Sequence, residues 1–167
     1  MYKIIYDKNK NYNMQNPPYR SEEYKSIYEG ITIEMHIVDH CNLNCANCNH
    51  FAPLANNWFI NLKDFEAQIQ ELKNNIPNVK RLILLGGEPT LHPDLLSICK
   101  IARNLYPDIP IEILSNGIFV TKILEQEKDF KPLNISFRFC SYPGYTNYKD
   151  ISKIDLNTEY FNTRNIS

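Results

Sequence analysis

Cys41, Cys45 and Cys48 fall within eight residues of a chain that contains five cysteines in all. The run His40-Cys41-Asn42-Leu43-Asn44-Cys45-Ala46-Asn47-Cys48 spaces them as Cys-x3-Cys-x2-Cys. Thiolates this close can wrap one compact soft-metal centre, either an iron-sulfur cluster or zinc. Three donors leave one coordination position open, and in a cubane of four irons the iron lacking a cysteine can take a chelating small molecule. The competing reading is a structural zinc site whose fourth donor is His40 or His50, because three cysteines and a histidine form an established tetrahedral set.

Further along, Gly86-Gly87-Glu88-Pro89 could bring backbone close to a ligand and set one carboxylate against a positive charge. Its plain reading is a strand-to-helix turn, with glycines for positive φ and proline for rigidity. Ser115-Asn116-Gly117 is divided between a ligand contact and an ordinary Asn-Gly turn. Arg138 alternates with Phe137 and Phe139, so it points away from their face, either to bind a carboxylate in bidentate fashion or to pair with an acidic neighbour. Glu34 and His36 share one face of a strand, opposite Ile33, Met35 and Ile37; inside a barrel that face looks into the lumen. Cys99 reads as a small core residue on a helix, and Cys140 lies at the end of a strand.

The elements that must position these residues alternate short aliphatic runs with longer segments of helical period, the pattern of βα units and a parallel sheet. Strands are expected at Ile31 to Val38, Arg81 to Leu85, Ile109 to Ser115 and Leu133 to Phe139. A first helix over Leu62 to Asn75 puts Leu62, Phe65, Ile69 and Leu72 on one face, with Asn61 as N-cap. A second starts near Pro93 and carries Leu95, Leu96, Cys99, Ala102 and Leu105 inward. The third runs from about Phe119 to Asp129, and Pro77, Pro107 and Pro132 stop the three helices in turn. The cysteine loop, Gly86 to Pro89, Ser115 to Gly117 and Cys140-Ser141 then all fall beyond the carboxyl ends of their strands, the edge where parallel α/β folds build ligand sites.

Residues 1–29 read as a partly ordered lead-in in which Tyr2, Ile4, Ile5 and Tyr6 could form an edge strand. Residues 30–167 hold the α/β domain, with 141–167 polar and weakly patterned. At 167 residues, 43% apolar, the chain has the size of one globular domain. Its 18 basic and 19 acidic residues leave no broad basic surface, which argues against nucleic-acid binding through phosphate neutralisation. No stretch approaches the roughly 18 apolar residues that span a bilayer, and Met1 to Arg20 lacks an apolar signal segment. A cytoplasmic location is expected, where close cysteines serve metals or catalysis rather than disulfides.

The cysteine spacing on the loop after the first strand, followed by Gly86-Gly87-Glu88-Pro89 after the second, resembles the radical S-adenosylmethionine enzymes. Ser115-Asn116-Gly117 is similar to the Thr/Ser-Asn-Gly segment of that family. The resemblance implies that Cys41, Cys45 and Cys48 hold a [4Fe-4S] cluster whose fourth iron takes the amino and carboxylate groups of S-adenosylmethionine. Reductive cleavage to a 5′-deoxyadenosyl radical, and hydrogen abstraction from a substrate that the sequence does not reveal, would follow. It further implies that Gly86, Gly87, Glu88 and Pro89, with Ser115 and Asn116, face the cofactor, and Arg138 is then the candidate partner for the cofactor carboxylate. An external electron donor of flavodoxin or ferredoxin type is implied as well. The residue before the third cysteine, commonly aromatic in the family, is Asn47 here, so adenine contact would pass to Phe51 or to a backbone amide.

A six-unit partial barrel needs about 190 residues at roughly 31 per unit. From Gly30 to the last residue there are about 138, enough for four units and part of a fifth. An incomplete (β/α)6 TIM-like barrel is therefore expected, from a short or truncated member, with its open edge after the fourth strand available to a partner chain. The alternatives to an enzyme are a non-catalytic cluster-binding domain and a zinc-stabilised interaction module.

Overall fold

Strand β1, Ile31–Val38, buries Ile33, Met35 and Ile37 and exposes Thr32, Glu34 and His36, the alternation of a strand covered on one face. In the computed structural model, residues 30–46, 48–76, 78–140, 144, 148–151, 153 and 158–161 are described. Strands β2, Val79–Gly86, β3, Ile111–Ser115, β4, Ile135–Cys140, and β5, Thr158–Phe161, follow. All pair in parallel in the order β1-β2-β3-β4-β5. Sequential order means that each connection moves one strand along in the same direction, the winding of a barrel wall rather than of a doubly wound sheet.

The helices are α1, Leu62–Asn75, α2, Leu95–Leu105, α3, Val120–Glu125, α4, Glu127–Phe130, and α5, Tyr148–Ile151. Asn61 starts α1 as expected: its side chain accepts the Asp64 backbone N–H at 2.9 Å. Phe65 and Ile69 of α1, Ile98, Cys99 and Ala102 of α2, and Ile123 and Phe130 beyond them join Leu82, Leu84, Ile111, Ile113, Phe137 and Phe139 in one core. Burying side chains of this size contributes roughly 1.5–3 kcal/mol each, offset by ordering entropy. That core fixes the sheet, and the sheet fixes its carboxyl edge.

Four expectations are corrected. The second helix begins at Leu95, because residues 89–94 form a 3-10 turn, Pro89–Leu91, followed by a second turn at Pro93 and Asp94. The third helix breaks at Gln126 into α3 and α4. The weakly patterned carboxyl-terminal region contributes β5, with Cys140 opposite Phe161. The edge after the fourth strand is therefore covered. Residues 1–29, with the edge strand expected at Tyr2 to Tyr6, lie outside the described residues, as do Asn47, Pro77 and Ser141.

Candidate functional site

The loop that leaves β1 is closed at its base by backbone. Asp39 N–H donates to Trp58 O at 3.0 Å, Ile60 N–H donates to Ile37 O at 3.0 Å, and Val38 bridges Phe59. Between these ends, Cys48 N–H reaches Cys45 O at 3.3 Å and Phe51 N–H reaches Cys48 O at 3.2 Å, two tight turns in succession. All three thiols are free and half-buried. Among the described residues, no three Cys, His, Asp or Glu side chains meet as a single metal ion requires. A cubane makes a different demand, giving each thiolate its own iron.

The next strand's end is built against this loop. A Cβ on Gly87 would lie 2.2 Å from His40 O, and one on Gly86 would lie 1.9 Å from Val38 O; Gly86 also has φ +147. Gly87 N–H donates to Val38 O at 2.7 Å and Glu88 N–H to His40 O at 2.9 Å. The two glycines thus let β2's end run against the backbone where the cysteine loop begins. Pro89 then opens the 3-10 turn that Glu88 caps.

Glu88 is completely buried. Its Oε1 accepts Thr90 N–H at 3.0 Å, Thr90 Oγ1 at 2.6 Å and Ser115 Oγ at 2.8 Å, and its Oε2 accepts Asn116 N–H at 2.7 Å. Burial pushes its pKa up while these four donors pull it down. None of the ion pairs among the described residues reaches it. The Cys41 thiol is pushed up by burial, opposed by the Leu43 N–H; Glu88, Cys45 and Cys48 add to the upward push. Cys140 is raised by burial and by Glu88, with Arg138 opposing. One buried carboxylate therefore acts electrostatically on thiols from two segments of the carboxyl edge.

On the open face of the sheet, Arg138 Nη1 lies 2.9 Å from Glu112 Oε2, and Arg81 Nε lies 3.2 Å from Glu112 Oε1. Arg138 thus has an acidic neighbour in Glu112. Glu112 is a residue that sequence reasoning missed, although a lone carboxylate in Ile111-Glu112-Ile113 signals a position turned from the core. His36 Nε2 and His50 Nδ1 are 2.9 Å apart, so the limb after Cys48 is tied to β1. His36 Nδ1 is 3.5 Å from Asp39. Burial first and His36 second lower the pKa of His50. Phe51 is 65% exposed with φ 55. Cys99 is fully buried in the core, its thiol pushed far up by desolvation.

Residues 35–151 match the model of the Radical SAM superfamily. The chain belongs to that superfamily. Its members bind a [4Fe-4S] cluster and S-adenosylmethionine, and they draw on a reductant and a substrate. The chain is 27% identical over 118 residues to a 7,8-dihydro-6-hydroxymethylpterin dimethyltransferase of Methanocaldococcus jannaschii, covering 68% of this chain and 22% of that protein. It is 28% identical over 109 residues to a GTP 3′,8-cyclase of Aliarcobacter butzleri, covering 62% and 33%. The chain thus spans a third or less of these curated relatives. The crystal structure of BtrN in complex with AdoMet and 2-DOIA superposes with a TM-score of 0.62 at 18% identity, covering 77% of this chain and 55% of that one. That likeness shows the radical SAM partial-barrel fold. No described helix is long and apolar enough to cross a membrane.

The donor set fits the family's cofactors on two counts. Three free thiols on one βα loop suit a cluster with one open iron. A buried carboxylate with hydrogen-bond donors but no ion pair among the described residues suits a cationic ligand nearby.

Proposed function

We propose that this radical SAM chain holds a [4Fe-4S] cluster on Cys41, Cys45 and Cys48 and cleaves S-adenosylmethionine reductively, abstracting hydrogen from a substrate with the radical so formed. The observation that supports this reading is Glu88, buried where β2 ends against the base of the cysteine loop and held there by Ser115 and Asn116 from the end of β3. Bound there, the cluster and sulfonium cofactor would supply one-electron chemistry that no protein side chain offers.

The chain's own residues do the positioning. Cys41, Cys45 and Cys48 offer thiolates from a loop tied at its base to β1. Gly86 and Gly87 allow β2's end to approach that loop, and Pro89 stiffens the turn behind it. Glu88 presents negative potential toward the cofactor's positive groups while Thr90, Ser115 and Asn116 hold its oxygens. Arg138, held by Glu112, serves the open face as a charge partner. An external flavodoxin- or ferredoxin-like donor would supply the electron from the loop side.

Anaerobic reconstitution with iron and sulfide tests this. The expected result is a brown, oxygen-sensitive protein with close to four irons and four sulfides per chain, which forms 5′-deoxyadenosine when given S-adenosylmethionine and dithionite. Replacing Cys45 by Ser should abolish both. A colourless protein carrying one zinc would defeat the reading, and a cluster without cofactor cleavage would leave a binding domain.

A further inference from the structure

Both ends of the Asn116 side chain are already committed. Its Oδ1 accepts Ile118 N–H at 3.0 Å, which sets the orientation of the amide because that donor needs an oxygen. Its Nδ2 then faces the other way and donates to Asn42 Oδ1 at 2.8 Å, across 74 residues of sequence. The Asn116 backbone N–H is held by Glu88. Asn42 stands between the first two cysteines, and the Cys41 sulfur lies 3.9 Å from the same Oδ1 while accepting Leu43 N–H at 3.4 Å. A bond from the end of β3 thus reaches two strands across the sheet into the cysteine loop.

We propose that Asn42 and Asn116 form a latch that seats the cysteine loop on the end of β3, so that Asn116 is a positioning residue acting through the loop. Residues 39–46 have no helix or strand of their own, and fixing such backbone costs roughly 1–2 kcal/mol per residue. A loop latched beforehand presents Cys41 and Cys45 with part of that ordering already done. The consequence for cluster retention rests on the function proposed above; the latch itself does not.

The full chain is compared with Asn42→Leu, which keeps the size and removes the acceptor, and with Asn42→Asp, which retains an acceptor. In metal-free protein, iodoacetamide alkylation of Cys41 and Cys45, read by peptide mass spectrometry, is expected to run about ten-fold faster in the Leu variant, the size of one lost hydrogen bond. The Asp variant should stay within about two-fold of wild type by the same scale, with Cys140 unchanged throughout. Asn116→Leu, which also releases the Ile118 N–H, should match Asn42→Leu in the reactivity of Cys41 and Cys45, and the double variant should be no worse than either in that readout, since both remove the same Asn42–Asn116 bond. After anaerobic loading, loss of iron to a chelator should accelerate by the same factor in the Leu variants alone. Unchanged cysteine reactivity, or additive effects in the double variant, would overturn the latch. Faster alkylation of the Leu variants, alongside a wild-type chain that takes up no cluster, would support the latch and sink the cofactor reading instead.

Discussion

Glu88 is a carboxylate buried in the fold and satisfied by four donors, and its replacement by Gln separates charge from shape. The amide keeps Oε1 for Thr90 and Ser115 but turns an NH2 toward the Asn116 N–H. One unpaired buried donor costs about 1–3 kcal/mol, and reductive cleavage of the cofactor should fall by at least about ten-fold with the negative charge gone. The pH dependence has a definite sign. Burial raises Glu88 above its ordinary 4.5, so its contribution to stability is complete below that value and is lost as pH rises through the folded pKa. The gap between wild type and Glu88→Gln in urea denaturation should narrow as pH rises above the ordinary carboxylate range, and a constant gap would contradict the raised pKa. His92 runs the other way. Its Nε2 bonds Ile60 O at 2.9 Å and its Nδ1 accepts Asp94 N–H at 3.0 Å, and burial depresses its pKa below 6.5. Its contribution is complete above 6.5 and lost as pH falls through the lower folded value. His92→Leu should abolish that loss at the expense of stability near neutral pH.

Helix α1 was legible to the residue, because Asn61, the Leu62-Phe65-Ile69-Leu72 stripe and a polar outer face all agree. Removing that cap by Asn61→Ala should cost about 1 kcal/mol, measured as a lower denaturation midpoint with an unchanged m-value. The strands carrying the site were legible for the same reason, since β-branched runs ended by Gly86, Ser115 and Cys140 mark where segments converge. The split of α3 from α4 at Gln126 was not: nothing in Leu124-Glu125-Gln126-Glu127 breaks helical period. Strand β5 was hidden too, because Thr158-Glu159-Tyr160-Phe161 is short and is held by its pairing with β4 rather than by its own pattern. The Asn42–Asn116 bond could not be read from sequence, because only the fold brings residues 74 positions apart together.

At the scale of the molecule, the sheet separates a chemical edge from a structural one. At the end opposite the cysteines, Arg103 of α2 gathers five backbone carbonyls: Nε to Leu133 at 2.7 Å, Nη1 to Tyr106, Pro107 and Ile109 at 3.1, 2.9 and 2.8 Å, and Nη2 to Asn134 at 2.9 Å. Those carbonyls belong to the chain leading into β3 and β4, outside the α-helices and strands. Nη1 has two hydrogens for three carbonyls, so one of its bonds is shared; a planar guanidinium still reaches all five carbonyls from three nitrogens, which a single ammonium nitrogen cannot. Arg103→Lys should therefore lower stability by roughly 1–2 kcal/mol and Arg103→Ala by about 3 kcal/mol, read from urea denaturation of the metal-free chain. Function should survive that loss, because α2 and the sheet stand between Arg103 and the thiols. At a temperature where the Lys variant remains folded, its iron and sulfide content and its 5′-deoxyadenosine yield should equal those of wild type. A Lys variant that is folded yet unable to hold a cluster would mean that the two edges are coupled through the sheet, and that the division of labour expected of a parallel α/β fold fails in this chain.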